Sequence, residues 1–145
     1  MDQIIRDDGY VLSTDPARID LDRVHGWLST DAYWAKGRPR ETIARSIEAS
    51  TVFGIYRPQD GRQVAFARAV TDSATFAWLC DVYVDPAERG RGLGTWLAVA
   101  TKAHLLETGV PRVLLATWDA HGVYAKAGYA PLAVPERWME LDLRR

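Results

Sequence analysis

A mixed α/β (α+β) domain is predicted by three observations. Hydrophobic periodicity is two through three successive β-rich runs between Thr51 and Val84, and it changes to helical spacing from Gly92. A nearly unbroken apolar run, Val113-Leu114-Leu115-Ala116-Thr117, then follows that helix, as expected of the second strand of a βαβ unit covered on both faces. The chain has 145 residues, 48% hydrophobic and 26% charged, which suits one domain over 1–145 with a buried core. The expected architecture is a mixed, mostly antiparallel sheet of about seven strands flanked by about four helices.

Tyr10-Val11-Leu12 reads as the first strand, ended at Asp15-Pro16. Ile19, Leu21, Val24 and Leu28 have the spacing of one helix face, running to Ser29-Thr30. An aromatic loop, Asp31 to Lys36, leads to a second helix with Pro39 in its first turn and Ile43, Ala44 and Ile47 as its apolar face. Thr51–Tyr56, Gln63–Val70 and Thr75–Val84 form an antiparallel meander, the first two joined by the turn Pro58–Gly61. The helix from Gly92 to about Leu106 presents Leu93, Trp96, Leu97, Ala100, Ala103 and Leu106, and Gly109 stops it. Asp119 is placed to cap a short helix through Lys126, Gly128 ends it, and Tyr129–Leu132 with Trp138–Leu143 supply two closing strands. Trp96 and Trp138 are assigned to packing.

Composition removes several function classes. Eighteen Lys and Arg against nineteen Asp and Glu give a net charge of −1, which lacks the positive field of a general nucleic-acid binder. One cysteine, Cys80, makes no intrachain disulfide or thiolate cluster, and His25, His104 and His121 are too scattered for a zinc spacing, so no metal is expected. No apolar run approaches the ~18–20 residues of a membrane span, and the expected location is cytoplasmic.

The sharpest local feature is Arg89-Gly90-Arg91-Gly92-Leu93-Gly94-Thr95, set between a strand and a helix start. Glycines without Cβ let backbone N–H groups approach an anion, the helix end favours it by ~0.3–1 kcal/mol, and arginines add charge-assisted bonds. The turn lacks the Gly-Lys-Ser/Thr ending of a P-loop, and Thr95 stands at the third glycine of a dinucleotide fingerprint.

The spacing Arg89-x-x-Gly92-x-Gly94, after Val82-Tyr83-Val84-Asp85-Pro86, resembles the acyl-CoA pyrophosphate loop of the GNAT superfamily of N-acetyltransferases. A second stretch, Asp119 to Tyr129 with Tyr124, Lys126 and Gly128, is similar to that family's N-x-x-A-x-x-x-Y-x-K-x-G-F/Y pattern, with Asp119 read at the Asn position and Gly122 at the Ala position. The resemblance covers about Phe76 to Leu132 and implies a sheet splayed beside the loop-bearing strand, with acetyl-CoA in the gap. It assigns the pantetheine to the backbone of Val82 and Val84, the pyrophosphate to Arg89 through Thr95, and a further cofactor contact to Asp119.

The same resemblance makes Tyr124 the general acid toward the departing thiolate, with Val82's backbone polarising the thioester carbonyl. The base is left among Asp81, His121 and a water chain. By strict alternation Asp81 shares a face with Leu79 and Tyr83. An amine of pKa ~10.4 costs ~4–5 kcal/mol to hold neutral at pH 7, and one of pKa ~8 only ~1.4 kcal/mol, so a weakly basic acceptor needs no dedicated base. Tyr33, Trp34, Arg38, Phe76 and Trp78 are the expected acceptor contacts, suiting an apolar or aromatic amine, with Arg38 available to a carboxylate. The expected activity is acetyl transfer to a primary amine of a small molecule or peptide in a ternary complex. The alternative is a non-catalytic acyl-CoA sensor, and a homodimer paired through the C-terminal strand is compatible with either.

Overall fold

The computed structural model describes residues 2–144. Its sheet has six strands in sequence order, β1 (Gln3–Ile5), β2 (Val11–Ser13), β3 (Thr51–Tyr56), β4 (Gln63–Thr71), β5 (Ala77–Val84) and β6 (Val113–Leu114). All neighbours are antiparallel except β5 and β6. The four helices are α1 (Leu21–Thr30), α2 (Arg40–Glu48), α3 (Leu93–Glu107) and α4 (His121–Lys126). The mixed, mostly antiparallel architecture read from the sequence is the one observed.

The strand inventory differs at both ends. β1 was not foreseen: Gln3-Ile4-Ile5 is too short for a periodicity signal, and pairing with β2 across the turn at Gly9 forms it. Neither Tyr129–Leu132 nor Trp138–Leu143 is a strand, because neither finds a ladder partner. β6 also stops at Leu114 rather than Thr117.

Two apolar layers clasp the sheet. On one face Leu12, Phe53, Ile55, Ala65, Ala67 and Leu79 meet Leu93, Leu97 and Leu105 of α3 and Tyr124 of α4. On the other, Val52, Phe66 and Tyr83 meet Val24, Leu28 and Ile43 of α1 and α2. Asp20 starts α1 by accepting from the Arg23 amide. In α3 the buried stripe is Leu93, Leu97, Ala98, Ala100, Thr101 and Leu105, while Leu106 is half exposed, so the face is rotated from the one expected. Trp138, expected to pack, is 41% exposed with the Arg112 guanidinium over its ring.

Candidate active site

The sheet opens where parallel pairing ends. β5 and β6 are joined only through Ala77 with Val113 and Trp78 with Leu114. Beyond them, Cys80–Val84 and Leu115–Thr117 are unpaired with each other, leaving a wedge with strand backbone on one wall. The β4–β5 register slips between Phe66 and Arg68, where two β5 residues oppose one of β4, and Asp81 takes φ +53°. This bulge corrects the expected alternation: Leu79, Val82 and Val84 face the α3 layer, whereas Asp81 and Tyr83 face the α1–α2 layer. Aspartate tolerates the left-handed region better than most side chains, which explains its place at the kink.

At the lower end of the wedge, Pro86–Glu88 form one helical turn and Arg89–Gly92 the following loop. Gly90 and Gly92 have φ of +86° and +76°, so each is needed for its backbone conformation. Gly92 caps α3 without a side-chain partner, and the first amides of the helix, at Leu93, Gly94 and Thr95, point out of its positive end. An ideal Cβ on Gly94 would lie 3.9 Å from Val84, so helix and strand are close at this point. These donors fit a pyrophosphate. Arg89 is folded back: its Nε donates to the Val84 carbonyl at 3.2 Å, its guanidinium lies over Tyr83, and it approaches Asp31 at 3.7 Å. Arg91 pairs with Glu88 at 3.1 Å.

Glu88 and Arg6 were missed in the sequence. Glu88 is 5% exposed and accepts from the Tyr10 hydroxyl at 2.7 Å, with Arg57 at 3.5 Å completing its contacts. It ties the loop to β2 and to the end of β3. Arg6 reaches the same corner, stacked over Trp96 and near Gly92. Both depend on the β1–β2 hairpin, so no local motif signals them. If the turn holds acetyl-CoA as the resemblance implies, Glu88→Gln is expected to raise KM for it about tenfold with kcat unchanged, because the turn loses its anchor while the reacting end is untouched. Steady-state kinetics against acetyl-CoA concentration check this.

At the upper end, Tyr124 is 9% exposed and packs edge-on against Tyr129, in the apolar cluster that Val82 and Val84 also join. Burial pushes its hydroxyl up to about 12, and Tyr129, Tyr33 and Asp119 add in the same direction. His121 begins α4 in an exposed position. Asp119 does not cap that helix: the N-cap is Ala120, whose amide donates to Thr117 Oγ1 at 3.0 Å. In the family pattern the Asn precedes the tyrosine by seven positions, which is Thr117, so Thr117 and Ala120 are the counterparts rather than Asp119 and Gly122.

The expected acceptor residues divide. Trp34 Nε1 donates to Asp81 at 2.8 Å, Arg38 at 2.9 Å and Arg68 at 2.6 Å, closing a buried cluster around a carboxylate that is 4% exposed. Burial alone would raise the Asp81 carboxyl, but the two guanidinium groups and the Trp34 indole outweigh it and hold it below the ordinary carboxylate range. Burial lifts the neighbouring Cys80 thiol to about 11, which leaves it protonated and poorly suited to a covalent acyl intermediate. Tyr33 bridges the wedge, edge-on to Trp34 and to Trp118, and its hydroxyl accepts from the Trp118 amide at 3.0 Å. Trp118 is 73% exposed and belongs to no periodic segment, so the sequence gives no reason to select it. Phe76 and Trp78 lie at the closed root of the wedge, away from that aromatic bridge.

Comparison with known proteins agrees with this geometry. The family model described as acetyltransferase (GNAT) family matches residues 21–129. FG08082 of Gibberella zeae, assigned to the acetyltransferases, is 31% identical over 135 residues, covering 81% of this chain and 76% of its own. The crystal structure of a GNAT-family protein from Xanthomonas campestris pv. campestris, xcc2953, is 45% identical with a TM-score of 0.86, covering 92% of this chain and 93% of that one. A Clostridium acetobutylicum protein solved with acetyl-CoA has the same fold at 16% identity, TM-score 0.68, over 93% of this chain and 96% of its own. With a family match over residues 21–129 and relatives of 31% and 45% identity that cover most of it, the chain belongs to the GNAT acetyltransferase family and is an acyltransferase.

Proposed function

We propose that the protein is an acetyl-CoA-dependent N-acetyltransferase that acts on a primary amine of a small molecule or peptide by direct attack in a ternary complex. The observation that carries this is the alignment of three elements along one wedge: an open helix N-terminus at Gly92, bulged strand backbone at Val82, and the Tyr124 phenol opposite. The amides at the α3 N-terminus, with Arg91 and Arg6, hold the pyrophosphate, and the β5 edge pairs with the pantetheine as an added strand would. The Val82 amide polarises the thioester carbonyl, the amine nitrogen bonds to the acyl carbon, and the carbon–sulfur bond breaks with its electron pair on sulfur.

A phenol near 12 is a weaker acid than a thiol near ~8.5, so Tyr124 acts first as a hydrogen-bond donor to the charge developing on sulfur. Asp81 already accepts from three donors and is better suited to holding the bulge than to taking a proton. The amine therefore loses its proton to water in the wedge, with His121 at the rim.

Thiol release from acetyl-CoA, measured against polyamines, amino acids, arylamines, aminoglycosides and peptides, tests the proposal. At least one class gives release above the blank, and Tyr124→Phe suppresses it. Release with none of them would overturn the activity and leave an acyl-CoA-binding module.

A further inference from the structure

Tyr33 is a single side chain that crosses the wedge from wall to wall. Its hydroxyl accepts from the Trp118 amide at 3.0 Å, and its ring meets Trp34 and Trp118 edge-on, with centroids 4.9 and 4.8 Å away. The contact joins the loop between α1 and α2 to the chain just beyond β6, and each wall has supports of its own. In the loop, Ala32 and Ala35 are buried, the Ala35 amide donates to the Ala32 carbonyl, the Gly37 amide to that of Ser29, and Trp34 to buried Asp81. Across the wedge, the Ala120 amide donates to Thr117. Tyr33 itself is 44% exposed, so its ring can swing aside while both walls stay in place. Exposed rotamers exchange on the order of nanoseconds or faster, so such a gate does not limit turnover.

The wedge has a mouth on each face of the sheet. Tyr124 and α3 lie on one face, and Trp34 lies on the other with α1 and α2. Tyr33 therefore looks across the gap at Tyr124, near enough to add to the upward shift of that phenol. Resting on the reading that acetyl-CoA enters from the Tyr124 side, we infer that Tyr33 determines specificity for amine over water: its ring closes the opposite mouth until an acceptor amine displaces it from the Trp118 amide. With the ring absent, bulk water reaches the thioester. The water oxygen bonds to the acyl carbon, the carbon–sulfur bond breaks with its electron pair on sulfur, and a proton from that water passes to the thiolate. The products are acetate and free thiol, with no acceptor consumed.

Hydrogen exchange at the Trp118 amide reads the bridge in the protein alone. Tyr33→Phe is expected to speed that exchange about tenfold, because phenylalanine keeps the ring and removes the accepting oxygen. Thiol release from acetyl-CoA with no amine present reads the gate. Tyr33→Ala is expected to raise it about tenfold, with Tyr33→Phe between. Calorimetric Kd for acetyl-CoA should stay within about twofold in both variants, since the bridge closes the other mouth. Equal Trp118 exchange in the unaltered and Tyr33→Phe proteins would overturn the inference, whatever the catalysis. Unchanged thiol release in Tyr33→Ala would also overturn it, and if Tyr124→Phe still suppressed transfer to an amine the proposed activity would stand. A tenfold loss of acetyl-CoA affinity in Tyr33→Ala would overturn it as well, by placing the ring on the donor side. Failure of the unaltered protein to bind acetyl-CoA would remove the proposed function and this inference together.

Discussion

Tyr124→Phe is expected to lower kcat by about a hundredfold while leaving KM for acetyl-CoA within about twofold, the signature of an interaction made only as sulfur departs. Phenylalanine keeps the ring that packs on Tyr129 and loses only the donor, so the melting temperature should hold. The elevated phenol adds a pH signature. Tyr124 is a neutral donor below its folded value of about 12, so the kcat profile of the unaltered enzyme should show no falling limb between about pH 8 and 10 from this group. The rising limb belongs to deprotonation of the acceptor amine and should survive in Tyr124→Phe. Parallel profiles displaced by a constant factor support the donor role. A falling limb near pH 9 that disappears in the variant would mean that the hydroxyl ionises in the complex and acts as a base.

Much of the framework around the candidate site is legible in the sequence because its signals are local. The Arg89–Gly94 turn and the Tyr124–Gly128 stretch each lie within a few residues, and the change of period around them places strand, turn and helix in order. What escaped the sequence depends on long-range register. Asp81 lies on the face opposite to Leu79 because one bulge shifts the alternation, and no pattern within β5 marks where the extra residue sits. Glu88 and Arg6 act through a hairpin whose first strand has three residues. Trp118 matters only because the Tyr33 hydroxyl crosses the wedge to its amide. The two closing strands do not form for a related reason: alternation in Trp138–Leu143 has the period of a strand, but period alone supplies no ladder partner, and none pairs with it among the described residues.

Asp81→Asn separates the two roles open to that carboxylate, and its largest effect is expected on stability. Asparagine fits the left-handed backbone as well as aspartate does, and it still accepts from Trp34, so neither strain nor lost shape confuses the result. What disappears is the charge facing Arg68 at 2.6 Å and Arg38 at 2.9 Å, leaving two guanidinium groups partly buried without a counter-ion. Removing one partner of such a cluster costs about 3 kcal/mol, or roughly 6–12 °C in melting temperature for a chain of this size. Measured well below the melt, kcat should stay within about threefold if, as proposed, the proton leaves the amine through water. Replacing Arg38 by Met in the same background should recover part of the lost stability by removing one uncompensated charge, and a double-mutant cycle reads that coupling. If Asp81 were the base, kcat measured well below the melt would fall a hundredfold or more in addition to the loss of stability, and Arg38→Met would not restore it.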